Sequence, residues 1–380
     1  MRHRIKTTIL TVLTGAALCF GQSNDALAQP FLVSGYGDTI YSSFLNAANG
    51  LMDAPRKVAT QAKPSFFSQH PKLPIIYAVS ETMRNDEKSP AELVAYEVEF
   101  STDGKIRRLV ELNRQRINGD IGCHVNIDSQ GRLVFVSNYV NGSVVAFALD
   151  KDGKIGSETC NVVHQITDGK TRSNGHCSVL TPDEKNLLVC DLGLDRVFNY
   201  VVNYTNGTLS PANQPYVSLK QGAGPRHLTF HPDGKHLFII NELDMTMTSA
   251  QWDANSSQIR IIDTVDTIPN VPSREGFSTA EVLVHPNGKF VYGSNRGHNS
   301  IAVFHFDSST GKLQLVETTS TTGKTPRNFR LDPSGKYMLV ENQQSDNVVV
   351  FQIDPNNGKL TATENSIEVS GPTCLRFIRK

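Results

Sequence analysis

One pattern recurs along the chain and constrains everything else. A short entry with a polar residue leads into a β-rich run, then a Pro-Asp-Gly-like turn, a second β-rich run, and an Asn or Asp. The turns sit at Gly131, Glu184, Gly234, Gly288 and Gly335, with spacings of 53, 50, 54 and 47 residues. Each copy offers about four short strands, and no long 3.6-residue period interrupts them. In the turn, Pro presets φ and Gly accepts a positive φ. Later Asx-Gly pairs, such as Asp152-Gly153 and Asn357-Gly358, read as hairpin turns. Four-stranded units of this length predict an all-β chain, a seven-bladed β-propeller.

Five copies are clear and two are degenerate. One degenerate unit runs from Pro64 to about Ile106, with its second strand in the segment LPIIYAVSET. The other is split between the ends of the chain. Gly371–Phe377 reads as a first strand, and Phe31–Met52 as strands two to four. N-terminal strands pairing with a C-terminal strand complete the seventh blade and close the ring, which removes exposed edges.

Met1 to Ala28 is set apart. Arg2, Arg4 and Lys6 precede the apolar or small stretch Thr8–Phe20, and Ala26-Leu27-Ala28 supplies a small-x-small cleavage pattern. The stretch is too short and Thr-rich to span a bilayer. Cys19 follows Leu18, which fits a lipid-anchor pattern poorly. The expectation is a signal peptide over 1–28, a single propeller domain over 29–380, and a periplasmic or secreted protein. The alternative is a disordered leader or an uncleaved anchor.

Charge narrows the partners. Lys+Arg and Asp+Glu are 37 each, and removing 1–28 leaves 34 against 36. Nucleic acid and anionic membranes favour a basic excess, so neither is an expected partner of the mature form. Beyond residue 28, Cys123, Cys160, Cys177, Cys190 and Cys374 make an odd number without a C-x-x-C, against a disulfide framework or zinc knuckle. Whether Cys123 and Cys177, on neighbouring blades, pair is left open by the spacing. No helical H-x-x-x-H, calcium-type acidic loop or Gly-rich phosphate cradle occurs, so no metal or other cofactor is expected.

The repeat also places residues. Positions equally far before and after the turn lie at the same end of a blade. With Gly234 as origin, Arg226 is eight before and Glu242 eight after. The matching earlier column holds Thr373, Ser65, Cys123, His176, Arg226, Ala280 and Arg327, and the later one Glu81, Tyr139, Leu192, Glu242, Arg296 and Gln343. Basic, acidic and imidazole groups from separate blades thus converge on one mouth, a composition suited to acid–base work on an anionic or polyhydroxy substrate. Arg pairs with oxyanions through a planar fork, and His exchanges protons near neutrality.

The segments Gly122-Cys123-His124, Asn138-Tyr139, Asp191-Leu192-Gly193, Gly224-Pro225-Arg226-His227, Asn241-Glu242-Leu243-Asp244, Ser294-Asn295-Arg296-Gly297 and Thr325-Pro326-Arg327 span most of the chain in order. Through them the sequence resembles the seven-bladed propeller lactonase family, which includes 6-phosphogluconolactonases and is related to fungal carboxymuconate cycloisomerases. The resemblance implies hydrolysis of a sugar lactone, of aldono or 6-phosphoglucono type. It places the proposed chemistry on His176, Arg226, Arg296 and Glu242. His124, Asn138, His227 and Arg327 are the further expected substrate contacts. One departure stands out: where the family often carries Pro-His-x-His, this chain has Ser173-Asn174-Gly175-His176.

Duller roles compete at each position. His176 fits a strand cap, and Arg226 with Glu242 an internal ion pair. His124 and His227 fit structural roles. Asn138, Asp191, Asn241, Asn295 and Asn342 recur as turn caps would. His231 and His285 precede Pro at the opposite end and read as turn residues, and Trp252 as packing or rim. Competing functions are a non-catalytic binding propeller and a muconate-type cycloisomerase.

Overall fold

The computed structural model describes residues 28–165 and 172–380. The leader read over 1–28 lies outside the described residues except for Ala28, at which the first strand begins. Seven four-stranded antiparallel sheets follow. Six are continuous in sequence, over 64–116, 122–163, 175–218, 225–266, 278–320 and 326–368.

The seventh is composite. Its innermost strand, Pro372–Phe377, pairs with Ala28–Gly35, and Thr39–Asn46 and Arg56–Thr60 complete the sheet. The outermost strand therefore lies beyond the Met52 limit expected from sequence, because 47–53 turns back on itself through a Leu45–Met52 bridge. Likewise the blade that begins at Pro64 ends at Arg116, its fourth strand only starting at Ile106.

The innermost strands touch one another in cyclic order, and Pro372–Phe377 contacts those starting at Pro326 and Pro64. This closes a seven-bladed propeller around a central channel. Burial follows position in the blade. The second strands Ile75–Ser80, Leu133–Asn138 and Asn186–Asp191 are buried along their whole length, since a neighbouring blade covers each face. Outer strands such as Gln258–Asp266 alternate towards solvent. Trp252, 3% exposed, lies with Leu237, Ile239 and Ile259 of its own blade in one apolar cluster that also takes in Leu188 and Val197 of the preceding blade. Burying each such side chain stabilises the fold by about 1.5–3 kcal/mol.

The repeated turns bond as expected. The amides of Gly131, Gly234, Gly288 and Gly335 reach back three residues at 2.9–3.0 Å, with φ of 68–75°. Glu184 takes the same left-handed place at φ 56°, and its carboxylate accepts from the Ser129 amide at 2.7 Å and hydroxyl at 2.9 Å. His231 and His285 face these turns: Nε2 of each lies 2.9 Å from the carbonyl of Gly288 or Gly335 on the next blade. They join blades, as well as shaping their own turns.

Candidate functional site

Each blade delivers one residue to the channel mouth by the same local irregularity. Opposite Pro225 stands Asn241, but opposite His227 stands Ile240, so Arg226 is an extra residue in a β-bulge. The same shift isolates Ser65, Cys123, His176, Arg327 and Thr373, and a comparable one falls between Thr279 and Val282. A bulge bends the strand and re-aims its side chain, here into the channel. The residues just after the second strands supply the rest of the rim.

The resulting cavity, about 210 Å³, is lined by Tyr36, Glu81, Cys123, Tyr139, His176, Arg226, Glu242, Arg296 and Arg327. The four residues placed in the chemistry by resemblance therefore share one mouth, and Arg327 joins them. Glu242 stands between two guanidiniums, with Oε2 2.8 Å from Arg226 Nε and Oε1 3.0 Å from Arg296. The Arg226 contact is an ion pair out of line for a hydrogen bond at Nε. Arg226 also donates to the Ala280 carbonyl at 2.7 Å, and Arg296 to that of Thr279 at 3.0 Å. Both forks are thus fixed to the next blade or their own entry strand. Across the mouth, Tyr36 donates to Glu81 at 2.8 Å, and Arg327 lies over the Tyr36 ring at 5.2 Å.

These neighbours set the protonation states. Burial opposes charge on Glu242, but Arg296, Arg226 and Arg327 outweigh it and hold its carboxyl below the usual range. Burial pulls Arg296 down to about 10 against the attraction of Glu242. His176 falls well below its ordinary value, first through burial and then through Arg226, His227 and the other arginines. It is a neutral imidazole at pH 7, able to accept a proton. Its Nδ1 is buried without a partner. Burial pushes the Cys123 thiol up, and it donates to the His176 carbonyl at 3.2 Å, so it is no ready nucleophile. Three arginines face two carboxylates, and the mouth carries a surplus of one positive charge.

The other expected contacts lie elsewhere. Asn138 is fully buried and donates to Ser143 Oγ at 3.1 Å, a turn tie away from the mouth. Asn241 and Asn295 repeat it, reaching the hydroxyls of Thr246 and Ser300 at 2.8 and 3.1 Å. His227 sits in the channel's neck, 5.0 Å from the His176 ring, with Nδ1 3.0 Å from Glu281. His124 lies deeper still, against Phe66 and His227. Asn174 turns away and donates to the Tyr139 carbonyl at 2.8 Å. Asp191 is more than a turn cap: it receives His164 Nδ1 at 2.6 Å, the Ser173 hydroxyl and the Asn174 amide at 2.9 Å. Ser173 and His164 share that one carboxylate, which knots the entry to the His176 strand. The described cysteines are all free, so Cys123 and Cys177 form no disulfide.

Counting from the turns puts Cys123, Glu81 and Tyr139 in the mouth columns without giving them a role, and it misses Tyr36. Tyr36 follows Gly35, the partner of Pro372, and so fills the seventh place of the later column, which the split blade left blank.

Residues 30–377 match the family described as lactonase, 7-bladed beta-propeller. A 6-phosphogluconolactonase of Bacillus subtilis is 29% identical over 351 residues, covering 91% of this chain and 96% of that one. A protein of the same description from Formosa agariphila is 29% identical over 303 residues, covering 78% and 83%. Among solved structures, the Pseudomonas aeruginosa periplasmic gluconolactonase superposes with a TM-score of 0.85 at 27% identity, covering 93% and 99%.

Proposed function

Because this chain belongs to the seven-bladed β-propeller lactonase family, we propose that it hydrolyses a sugar lactone at the channel mouth. The observation that carries the reading is the single Glu242 carboxylate holding Arg226 and Arg296 in place beside a neutral, buried His176. His176 takes a proton from water as the water oxygen bonds to the lactone carbonyl carbon. The carbonyl oxygen becomes an oxyanion, for which Arg226 and Arg296 are preorganised donors. Collapse breaks the ring C–O bond, and the leaving alkoxide recovers the proton from His176. Glu242 orients the arginines, and Arg327 over Tyr36 flanks the substrate's polar groups.

The surplus of one positive charge matches the single negative charge of the oxyanion formed from an unphosphorylated aldonolactone, whereas a 6-phosphate would bring a further charge of about −1.5 to −2 that no free cation among the described mouth residues balances. Export fits that choice, since residues 1–28 are proposed as a cleaved signal peptide that leaves 29–380 as one periplasmic or secreted domain. The N-terminal residue of protein recovered outside the cytoplasm, read by mass spectrometry, checks this.

Glucono-1,5-lactone and its 6-phosphate are the test substrates. The parent is expected to open the unphosphorylated lactone faster, and His176→Ala to lose about 10²–10⁴ in rate. A His176→Ala variant as fast as the parent overturns the mechanism. One observation favours a non-catalytic binding mouth: the Glu242 carboxylate already pairs with both arginines that would serve the oxyanion. A thermal shift by lactone without turnover supports that second reading.

A further inference from the structure

We propose that the opposite end of the central channel is a second binding site, for a small hydroxycarboxylate monoanion gripped between Arg330 and Arg376. The channel narrows below the mouth around Phe66 and His227, then widens again to about 230 Å³. Ser68, Asn126, Thr229, His124, Arg330 and Arg376 are among the residues lining that far end.

The two arginines are half-buried and come from adjacent innermost strands. Both donate to one acceptor, the Leu375 carbonyl, Arg330 through Nε at 3.2 Å and Arg376 at 2.8 Å. The guanidiniums are therefore held close together despite their repulsion. Neither forms an ion pair with another described residue, unlike Arg226 and Arg296 at the mouth. Arg376 lies over the Phe66 ring at 4.5 Å, and His124 packs on the same ring at 4.4 Å, which fixes the cation in advance.

Nearby acids leave a residual charge. Glu281 is occupied: His227 Nδ1 and the Val282 amide reach it at 3.0 Å, and the Asn328 amide group binds its other oxygen. Burial pushes Glu341 up to about 8 despite Arg376 and Arg330, so it is largely protonated at pH 7. Burial also pulls His124 well below its usual value and His227 down to about 4, leaving both neutral. Two cations thus face one anion, and an additional single negative charge balances the set. A semi-enclosed charge without a counter-charge is costly, and a bidentate carboxylate matches the geometry of paired guanidiniums. The Asn126 carbonyl oxygen is buried there without a donor, a place for a ligand hydroxyl. None of these residues belongs to the mouth, so the inference does not rest on the lactone reading.

Calorimetric titration with glycerate, propionate and inorganic phosphate at pH 7 tests it, on the full chain and on Arg330→Gln, Arg376→Gln and Arg226→Gln. Saturable glycerate binding is expected, tighter than propionate, weakened about tenfold or more by either of the first two substitutions and unchanged by the third. No saturable binding to the parent overturns the site. So does loss in Arg226→Gln alone, which puts the anion at the mouth. Phosphate bound tighter than glycerate overturns the ligand class. If a Gln variant fails to fold by circular dichroism, Arg330→Lys and Arg376→Lys decide. They keep the charge but lose the fork, so undiminished affinity in both ends the proposal.

Discussion

Glu242 meets Arg226 at 2.8 Å because the bulge at Arg226 turns a strand residue into the channel at the height where the partner strand has already ended. The same carboxylate reaches Arg296 on the next blade, so one side chain fastens two blades at their shared rim. Glu242→Gln keeps the shape and removes the charge. Two buried guanidiniums are then left facing each other. Lactone turnover is expected to fall about 10²-fold, a loss of the order reported for a misplaced oxyanion donor, and the melting temperature to fall with it. Initial-rate kinetics and a thermal melt check this. Unchanged turnover with a lowered melting point would make the pair purely structural.

The pH dependence of activity follows from His176. Its imidazole titrates well below the ordinary value, burial being the main cause. As the proposed base it works only when neutral, so kcat/KM is expected to stay flat from pH 8 down past 6.5 and to fall only in more acidic buffer. A half-maximal rate at pH 6.5 or above contradicts this.

Stability has its own pH window. His227 is drawn from 6.5 to about 4 by burial, against the pull of Glu281. Below pH 6.5 the unfolded chain takes up this proton and the native protein does not, so stability rises with pH between about 4 and 6.5 and is fully present above. His124 and His176 shift the same way. Urea unfolding at pH 5 and pH 7.5 is expected to give the lower midpoint at pH 5. His227→Gln is expected to reduce the difference.

At the far face, His285 ties its own turn, accepting from the Asn287 amide at 3.1 Å, to the Gly335 carbonyl at 2.9 Å. It is 7% exposed. His285→Ala strips two buried bonds and opens space, costing about 2–4 kcal/mol. Denaturant titration measures the loss. Catalytic rates at temperatures where the variant is folded are expected to match the parent, since the mouth is at the other end.

Cys123, Cys177, Cys190 and Cys374 are buried and free, while Cys160 is partly exposed. Burial raises the buried thiols, Cys177 to about 12 and Cys374 to about 11. A thiol reagent on protein lacking residues 1–28 is expected to modify Cys160 alone, and all five in denaturant. Rapid reaction of more than one thiol in the native state argues against these burial assignments.

Much of this was legible in the sequence because the repeat is a physical unit. The turn residues fix strand ends, and apolar runs such as Leu237–Ile240 mark the strands that neighbouring blades sandwich. Four site residues drawn from three blades could be placed on one rim by counting from those turns. The bulges were not legible. Ser65, Cys123, His176, Arg226, Arg327 and Thr373 share a backbone irregularity and no side-chain chemistry, so the column looked like ordinary strand and the opposing pairs were counted one residue out. The outermost strand Arg56–Thr60 follows Ala54-Pro55 and has no apolar run, hence its absence from the expected span. Asn138 shows the converse. It lies next to Tyr139, which lines the mouth, but its amide is committed to Ser143, and counting alone does not show which way a side chain is spent.

Phe31 pairs with Phe377, a partner translated 346 residues later. Until that last strand leaves the ribosome the wheel has a gap, Arg376 is missing from one opening, and the second strand of the closing sheet has an unsatisfied edge. Nascent chains halted before residue 372 should therefore behave as chaperone clients, and completion of synthesis acts as the latch that turns a row of six sheets into a closed body.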